Sequence, residues 1–279
     1  IIPSLKTLDM IFGLPFDQSF PFINIYENIV LRSRFYSAIF SIIKNLNDAD
    51  FAKFINLLFK MINMKFELVD LEFILENDET KKQICFLSVD LYGIFSEAKD
   101  SNSFNQVFEW FISNDRSKFF ETAVFSLLDK SDESSVEANE DNDIIIHSIL
   151  RMWKSITLCT PRTRIVFDSS SPNGVILFKK AASILQPYFN YIELFERDHE
   201  ITDNKIDGIK YSFMIFQNLI SGKYVPFGAF KIYNDSIFVD LLTIMSKMIT
   251  DSFLKTVEQY PQTFYSMYDL FKELMVNQI

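Results

Sequence analysis

Glycine and proline are scarce in this chain, with 6 Gly and 8 Pro among 279 residues. A β-sandwich or an α/β sheet protein draws on both for a turn about every ten residues, so the supply favours helices. Cysteine is nearly absent: Cys85 and Cys159 stand far apart, lack the spacing of a disulfide framework or a zinc knuckle, and read as small buried hydrophobes suited to a reducing compartment. Histidine occurs twice, His147 in a helical segment and His199 in a polar link, and neither has ligand partners at zinc spacing. Metal ligands are therefore not expected. No GxSxG, Walker A or GxGxxG pattern is present either, so neither catalytic residues nor a cofactor site is expected. Basic charge is in deficit, 27 Lys and Arg against 37 Asp and Glu for a net charge of −10, which argues against a nucleic-acid interface and makes a basic protein the expected charged partner. No apolar run reaches the roughly 18 residues of a membrane span. Opening on Ile1 rather than Met, the chain reads as a piece of something longer.

What is abundant is apolar surface at helical spacing. Hydrophobic residues make up 48% of the chain, 31 of them Phe, and Phe fills helix interfaces as Leu would. Phe51, Phe54, Ile55, Leu58 and Ile62 recur at steps of one, three and four, which puts them on one helical face. The pattern returns in Ile146, Ile149, Leu150, Trp153 and Ile156, in Ile206, Ile209, Phe213, Phe216 and Ile220, and in Phe238, Leu241, Leu242, Met245 and Ile249. About ten helices are predicted, near 28–45, 49–64, 78–97, 102–114, 116–130, 143–159, 174–194, 203–221, 236–252 and 257–276. A helix pair takes roughly 40 to 50 residues, the length of a HEAT or armadillo unit, although no crisp sequence repeat marks that period. Such a pair cannot bury its stripe alone and does so by stacking on its neighbours. The expected fold is an all-α superhelix of HEAT-like repeats. SDESSVEANEDND, 131–143, has no basic residue and few apolar ones, and is expected to be a flexible acidic loop.

Three blocks go beyond periodicity. In SGKYVPFGAFKIYND, 221–235, residues Tyr224, Val225, Phe227, Gly228, Phe230 and Tyr233 form a Tyr-Val-x-Phe-Gly-x-Phe-x-x-Tyr pattern followed by Asp235. In RIVFDSSSPNGVILFKKAASIL, Phe167, Asp168, Ser170, Ser171, Pro172, Asn173, Gly174, Leu177 and Phe178 form a second, and Asp90, Leu91, Gly93, Ile94, Phe108, Glu109 and Trp110 a third. Their order and spacing resemble the exportin 7 and Ran-binding protein 17 family of karyopherins in the importin-β superfamily; exportin 4, a more distant cousin, fits less well. Pro226 departs from the polar residue the family carries there. The resemblance runs from about residue 36 to the end and is weak at 65–89 and 131–143.

The resemblance implies one continuous HEAT-like solenoid through 1–279, part of a longer receptor that shuttles between nucleus and cytoplasm. Its implied partners are Ran-GTP, cargo proteins and FG nucleoporins, with the principal Ran-binding region in N-terminal repeats outside this stretch. It implies no enzymatic activity and no cofactor. Read from the residues alone, the blocks have structural roles. Phe227, Phe230 and Tyr233 are expected to plug the groove between the Ile206–Ile220 and Phe238–Ile249 helices, with partner contact by exposed aromatics as the alternative. Gly222 and Gly228 are expected at positive φ, with Asn234 or Asp235 capping the next helix. Pro172, Asn173 and Gly174 read as a turn and a helix start. Periodicity alone would support a generic HEAT or armadillo scaffold without Ran control.

Overall fold

The structure, a computed structural model, describes residues 10, 28–129, 136–158, 171–195, 202–222, 225 and 227–277. The chain divides into two compact units, 1–98 and 99–279, and all elements among the described residues are helical.

In the first unit, α1 (Ile29–Ile43), α2 (Asp48–Glu67) and α3 (Asp78–Glu97) follow one another, with a single 3-10 turn at Leu71–Phe73 between the last two. Side chains set the helix starts. Asn47 accepts from the Asp50 N–H at 3.0 Å and Asn77 from the Glu79 N–H at 2.9 Å, so amides that the helix leaves unpaired find partners. All five residues of the Phe51–Ile62 stripe are buried. Helices α1 and α3 form the closest pair, and Gly93 permits it. A Cβ at Gly93 would stand 2.4 Å from the Ser33 carbonyl oxygen.

The second unit holds α4 (Ser101–Ile112), α5 (Arg116–Asp129), α6 (Val136–Thr157), α7 (Asn173–Phe195), α8 (Asp203–Ser221), α9 (Phe227–Ile232), α10 (Ile237–Met248), α11 (Asp251–Glu258) and α12 (Pro261–Val276). Its packing alternates between two rows. Helix α5 packs on α7 and α7 on α10, while α6 packs on α8 and α8 on α12. Each helix thus buries its stripe against the next member of its own row, the arrangement of an α-solenoid. The Ile146–Ile156 and Ile206–Ile220 stripes are buried throughout, and the Phe111 ring meets Trp153 edge-on at 5.7 Å. Each such side chain contributes about 1.5–3 kcal/mol on burial.

Three expectations need correction. The acidic stretch 131–143 is not a loop throughout, because α6 begins at Val136; a run of acidic sequence suits the positive end of a helix dipole, which composition alone does not register. Asn142 and Asp143 are buried within it. The single helix expected over 236–252 ends at Met248. The Thr250 side chain then caps a new helix by accepting from the Phe253 N–H at 3.1 Å, and Pro261 opens α12 in place of a start near 257. Finally, the segment expected as a loop before residue 236 contains the short helix α9.

Candidate functional site

Asp90 lies at the centre of the first unit, fully buried in the middle of α3. Arg32 of α1 donates from Nε to its Oδ1 at 2.6 Å and from Nη2 to its Oδ2 at 2.8 Å, the two-pronged pairing that suits a guanidinium. Lys65 of α2 donates to Oδ2 at 2.8 Å and to the Tyr36 hydroxyl of α1 at 2.5 Å. Burial works against the charge on Arg32, but Asp90 offsets it and the guanidinium stays firmly protonated. Lys65 responds the other way: burial brings it down to about 8, against the pull of Asp90 and with a push from Arg32. The Asp-Leu-x-Gly block therefore does two mechanical jobs. Asp90 gathers charges from α1 and α2, and Gly93 lets α1 come close enough for this.

The other two blocks meet in the second unit. Ser171 Oγ accepts from the Asn173 N–H at 3.2 Å at the start of α7, with Pro172 exposed and Gly174 buried. One turn on, the buried Phe178 ring lies 5.1 Å from Phe230, 5.6 Å from Phe227 and 5.9 Å from Phe238. Beside this cluster Lys179 pairs with Asp235 at 2.6 Å. The hydrogen bond from Lys179, followed by that from the Ile237 N–H, holds the Asp235 carboxyl below its usual range. Phe167, Asp168 and Tyr224 lie outside the described residues.

The plug is built differently from the expectation. Phe230 is 5% exposed, Phe227 half-buried, and Tyr233 is 81% exposed. Helix α9 ends at Ile232, so Phe227 and Phe230 are packed from within it while Tyr233, just beyond its end, is left to solvent. Gly222 continues the helical conformation at φ −61°, and no described glycine has positive φ. Asn234, at φ 53°, makes the reversal instead, a conformation that asparagine tolerates better than most residues. Asp235 Oδ1 accepts from the Ile237 N–H at 3.2 Å, but the N-cap position of α10 belongs to Ser236, whose side chain makes no capping bond, and not to Asn234 or Asp235 as expected. Around these residues lies an open groove of about 1000 Å³, floored by Phe227, Phe230 and Phe238, with Val225 and Val239 beside them and Lys231 and Asp235 at its edge.

Trp110, the last residue of the block that begins at Asp90, belongs to α4 in the second unit and is half-buried, with the Arg116 guanidinium 4.7 Å above its ring. A further polar cluster was not foreseen. Asp143 of α6 accepts from Tyr191 of α7 at 3.4 Å and from Thr202 at 3.2 Å, and Lys205 of α8 stands 3.8 Å away. Its only sequence signal was a carboxylate one turn before the Ile146 stripe; the acidic run around it hid that signal. Lys65 left a clearer trace, falling three residues after Ile62 on the apolar face of α2. His147 packs on the Tyr211 ring at 5.3 Å, and burial lowers it to about 4 despite Asp207 3.8 Å away, whose carboxylate is half exposed to water. Among the described residues no cluster of His, Cys, Asp and Glu could hold a metal ion, and no helix is long and apolar enough to cross a membrane.

No family model and no solved structure matches the chain. Curated proteins do. It is 26% identical over 265 residues to human Ran-binding protein 17, covering 91% of this chain and 23% of that protein. Drosophila melanogaster Ran-binding protein 16 is 26% identical over 198 residues, 71% of this chain and 17% of its own length. Dictyostelium discoideum exportin-7 is 26% identical over 186 residues, 66% of this chain and 17% of its own. The resemblance carried by the three blocks is thus a similarity along most of the chain, and the chain spans about a fifth of the length of these relatives.

Proposed function

We propose that this chain is a segment of a nuclear transport receptor of the exportin type, which binds cargo proteins and Ran-GTP and passes through nuclear pores by contact with FG nucleoporins. The observation that carries the reading is the colinear similarity to Ran-binding protein 17 over 91% of the chain, joined to an all-helical fold whose second unit packs in two rows. Such a receptor needs no catalytic group. It couples two binding equilibria, each ligand altering the affinity for the other.

Two surface features support a binding role. The groove floored by Phe227, Phe230 and Phe238 has the size and lining to accept an apolar side chain from a partner. Beside it Ile232 and Tyr233 are both 81% exposed. The chain's net charge of −10 favours approach by basic surfaces and acts on the rate of encounter more than on final affinity. The second reading is a helical-repeat scaffold that assembles proteins without Ran, which the packing accommodates equally well.

Calorimetric titration of the full-length gene product with Ran in its GTP and GDP states, at physiological salt, separates the two. The receptor reading expects a preference for the GTP state of about a hundredfold, roughly 2.7 kcal/mol. Equal affinity, or no binding, would leave a scaffold.

A further inference from the structure

The two buried polar clusters draw on the same three residue types. In the first unit three successive helices each contribute one member: Tyr36 from α1, Lys65 from α2 and Asp90 from α3, with Lys65 Nζ 4.8 Å from the Tyr36 ring centre. In the second unit three successive helices do so again: Asp143 from α6, Tyr191 from α7 and Lys205 from α8, with Lys205 Nζ 4.7 Å from the Tyr191 ring centre. Both lysines and both carboxylates are buried. Lysine, tyrosine and aspartate change place along the chain; the lysine lies over the tyrosine ring in both, but Lys65 hydrogen-bonds both its partners whereas Tyr191 donates to Asp143 and Lys205 stands 3.8 Å from that carboxylate.

We propose that these triads are proton-linked ties, each joining three successive helices and each strengthening the fold when its lysine gives up a proton. The hydrogen bonding permits the change. As an ammonium, Lys65 donates to Asp90 and to Tyr36 while adding a second cation beside Arg32; as a neutral amine it still donates to Asp90 and accepts from the Tyr36 hydroxyl. The contacts survive, and the burial penalty of the second cation is removed. In the other tie, Asp143 already accepts from Tyr191 and Thr202, and Tyr188 of α7 donates to the Lys205 carbonyl at 3.2 Å, so the three helices remain joined when Lys205 is neutral. Helix α12 meets α8 here through the Thr263 hydroxyl on the Ile206 carbonyl, which carries no charge.

The direction of the linkage follows from burial. Desolvation brings both Lys65 and Lys205 down to about 8 from an ordinary 10.5, against the pull of Asp90 and Asp143 respectively. The folded chain therefore releases these protons before the unfolded chain does. Stability rises as pH climbs from about 8 towards 10.5 and is lost as pH falls back through about 8. Tyr36 and Tyr188, held well above 10 chiefly by burial, stay neutral across most of that window, and Arg32 stays charged.

The test compares the intact chain with Lys65→Met and Lys205→Met, measuring the unfolding equilibrium in denaturant between pH 7 and pH 10. Each substitution is expected to remove a pH-dependent gain of roughly a hundredfold in the equilibrium constant. Differences between wild type and variants that do not change with pH would overturn the proposal. Because either variant could fail to fold, lysine side-chain NMR of the wild-type chain provides an independent reading. Two lysines titrating near pH 8 support the ties; all lysines titrating above pH 10 would overturn them.

Discussion

One methyl group tests how α1 and α3 are held together. At Gly93 an added Cβ would press on the Ser33 carbonyl, a backbone atom that cannot swing aside, whereas at Gly228 it would meet nothing within 4 Å. Gly93→Ala is expected to lower stability by about 1–3 kcal/mol through overpacking. Gly228→Ala, in a helix with negative φ, is expected to raise it by about 0.4–1 kcal/mol by restricting the unfolded chain. Urea unfolding of the two variants checks both signs, and a loss at Gly228 as large as that at Gly93 would contradict the geometry. At this scale Asp90 and Gly93 act together, since the close approach that Gly93 permits brings Arg32 to the carboxylate.

Helix α9 is six residues long, too short to hold its shape alone. It is held by the Phe178, Phe230 and Phe238 rings and by the Lys179 to Asp235 pair, so its stability comes from α7 and α10 rather than from its own backbone. Phe230→Ala should therefore cost about 3–5 kcal/mol. Tyr233→Ala, just beyond the end of the same element and exposed, should stay within about 0.5 kcal/mol. Thermal melts distinguish the two, and a silent Phe230 substitution would mean that the aromatic cluster does not anchor the element. A surface tyrosine that contributes little to stability remains free to contribute to binding, which is why Tyr233 is the informative position in a partner titration.

Across the whole chain, stability should be local. Helices that bury their stripes on near neighbours respond to damage over short range, as in other repeat proteins. Asp90→Asn breaks a buried charge network, a loss of about 3–5 kcal/mol. Hydrogen exchange should show the amides of α1, α2 and α3 losing protection while those of α11 and α12 keep theirs. Protection lost equally at both ends would indicate one cooperative fold instead of an array.

The sequence by itself determined most of the long helices and which of their faces are buried, though not α9 or the break between α10 and α11. The stripes at Phe51–Ile62, Ile146–Ile156 and Ile206–Ile220 need only the period of the helix and the cost of exposing apolar surface, and both are local. It also carried the similarity to exportin-7 and Ran-binding protein 17. Tertiary structure alone decided where charges could be buried. Asp90 and Asp143 look like any other carboxylates in an acidic chain until Arg32, Lys65 and Lys205 arrive from other helices. It decided the fate of the aromatic block too: Phe178 and Phe238 hold Phe227 and Phe230 inward, and Tyr233, just past the end of α9, is left facing water. Pairings between residues distant in sequence depend on how helices stack, and no local period encodes that.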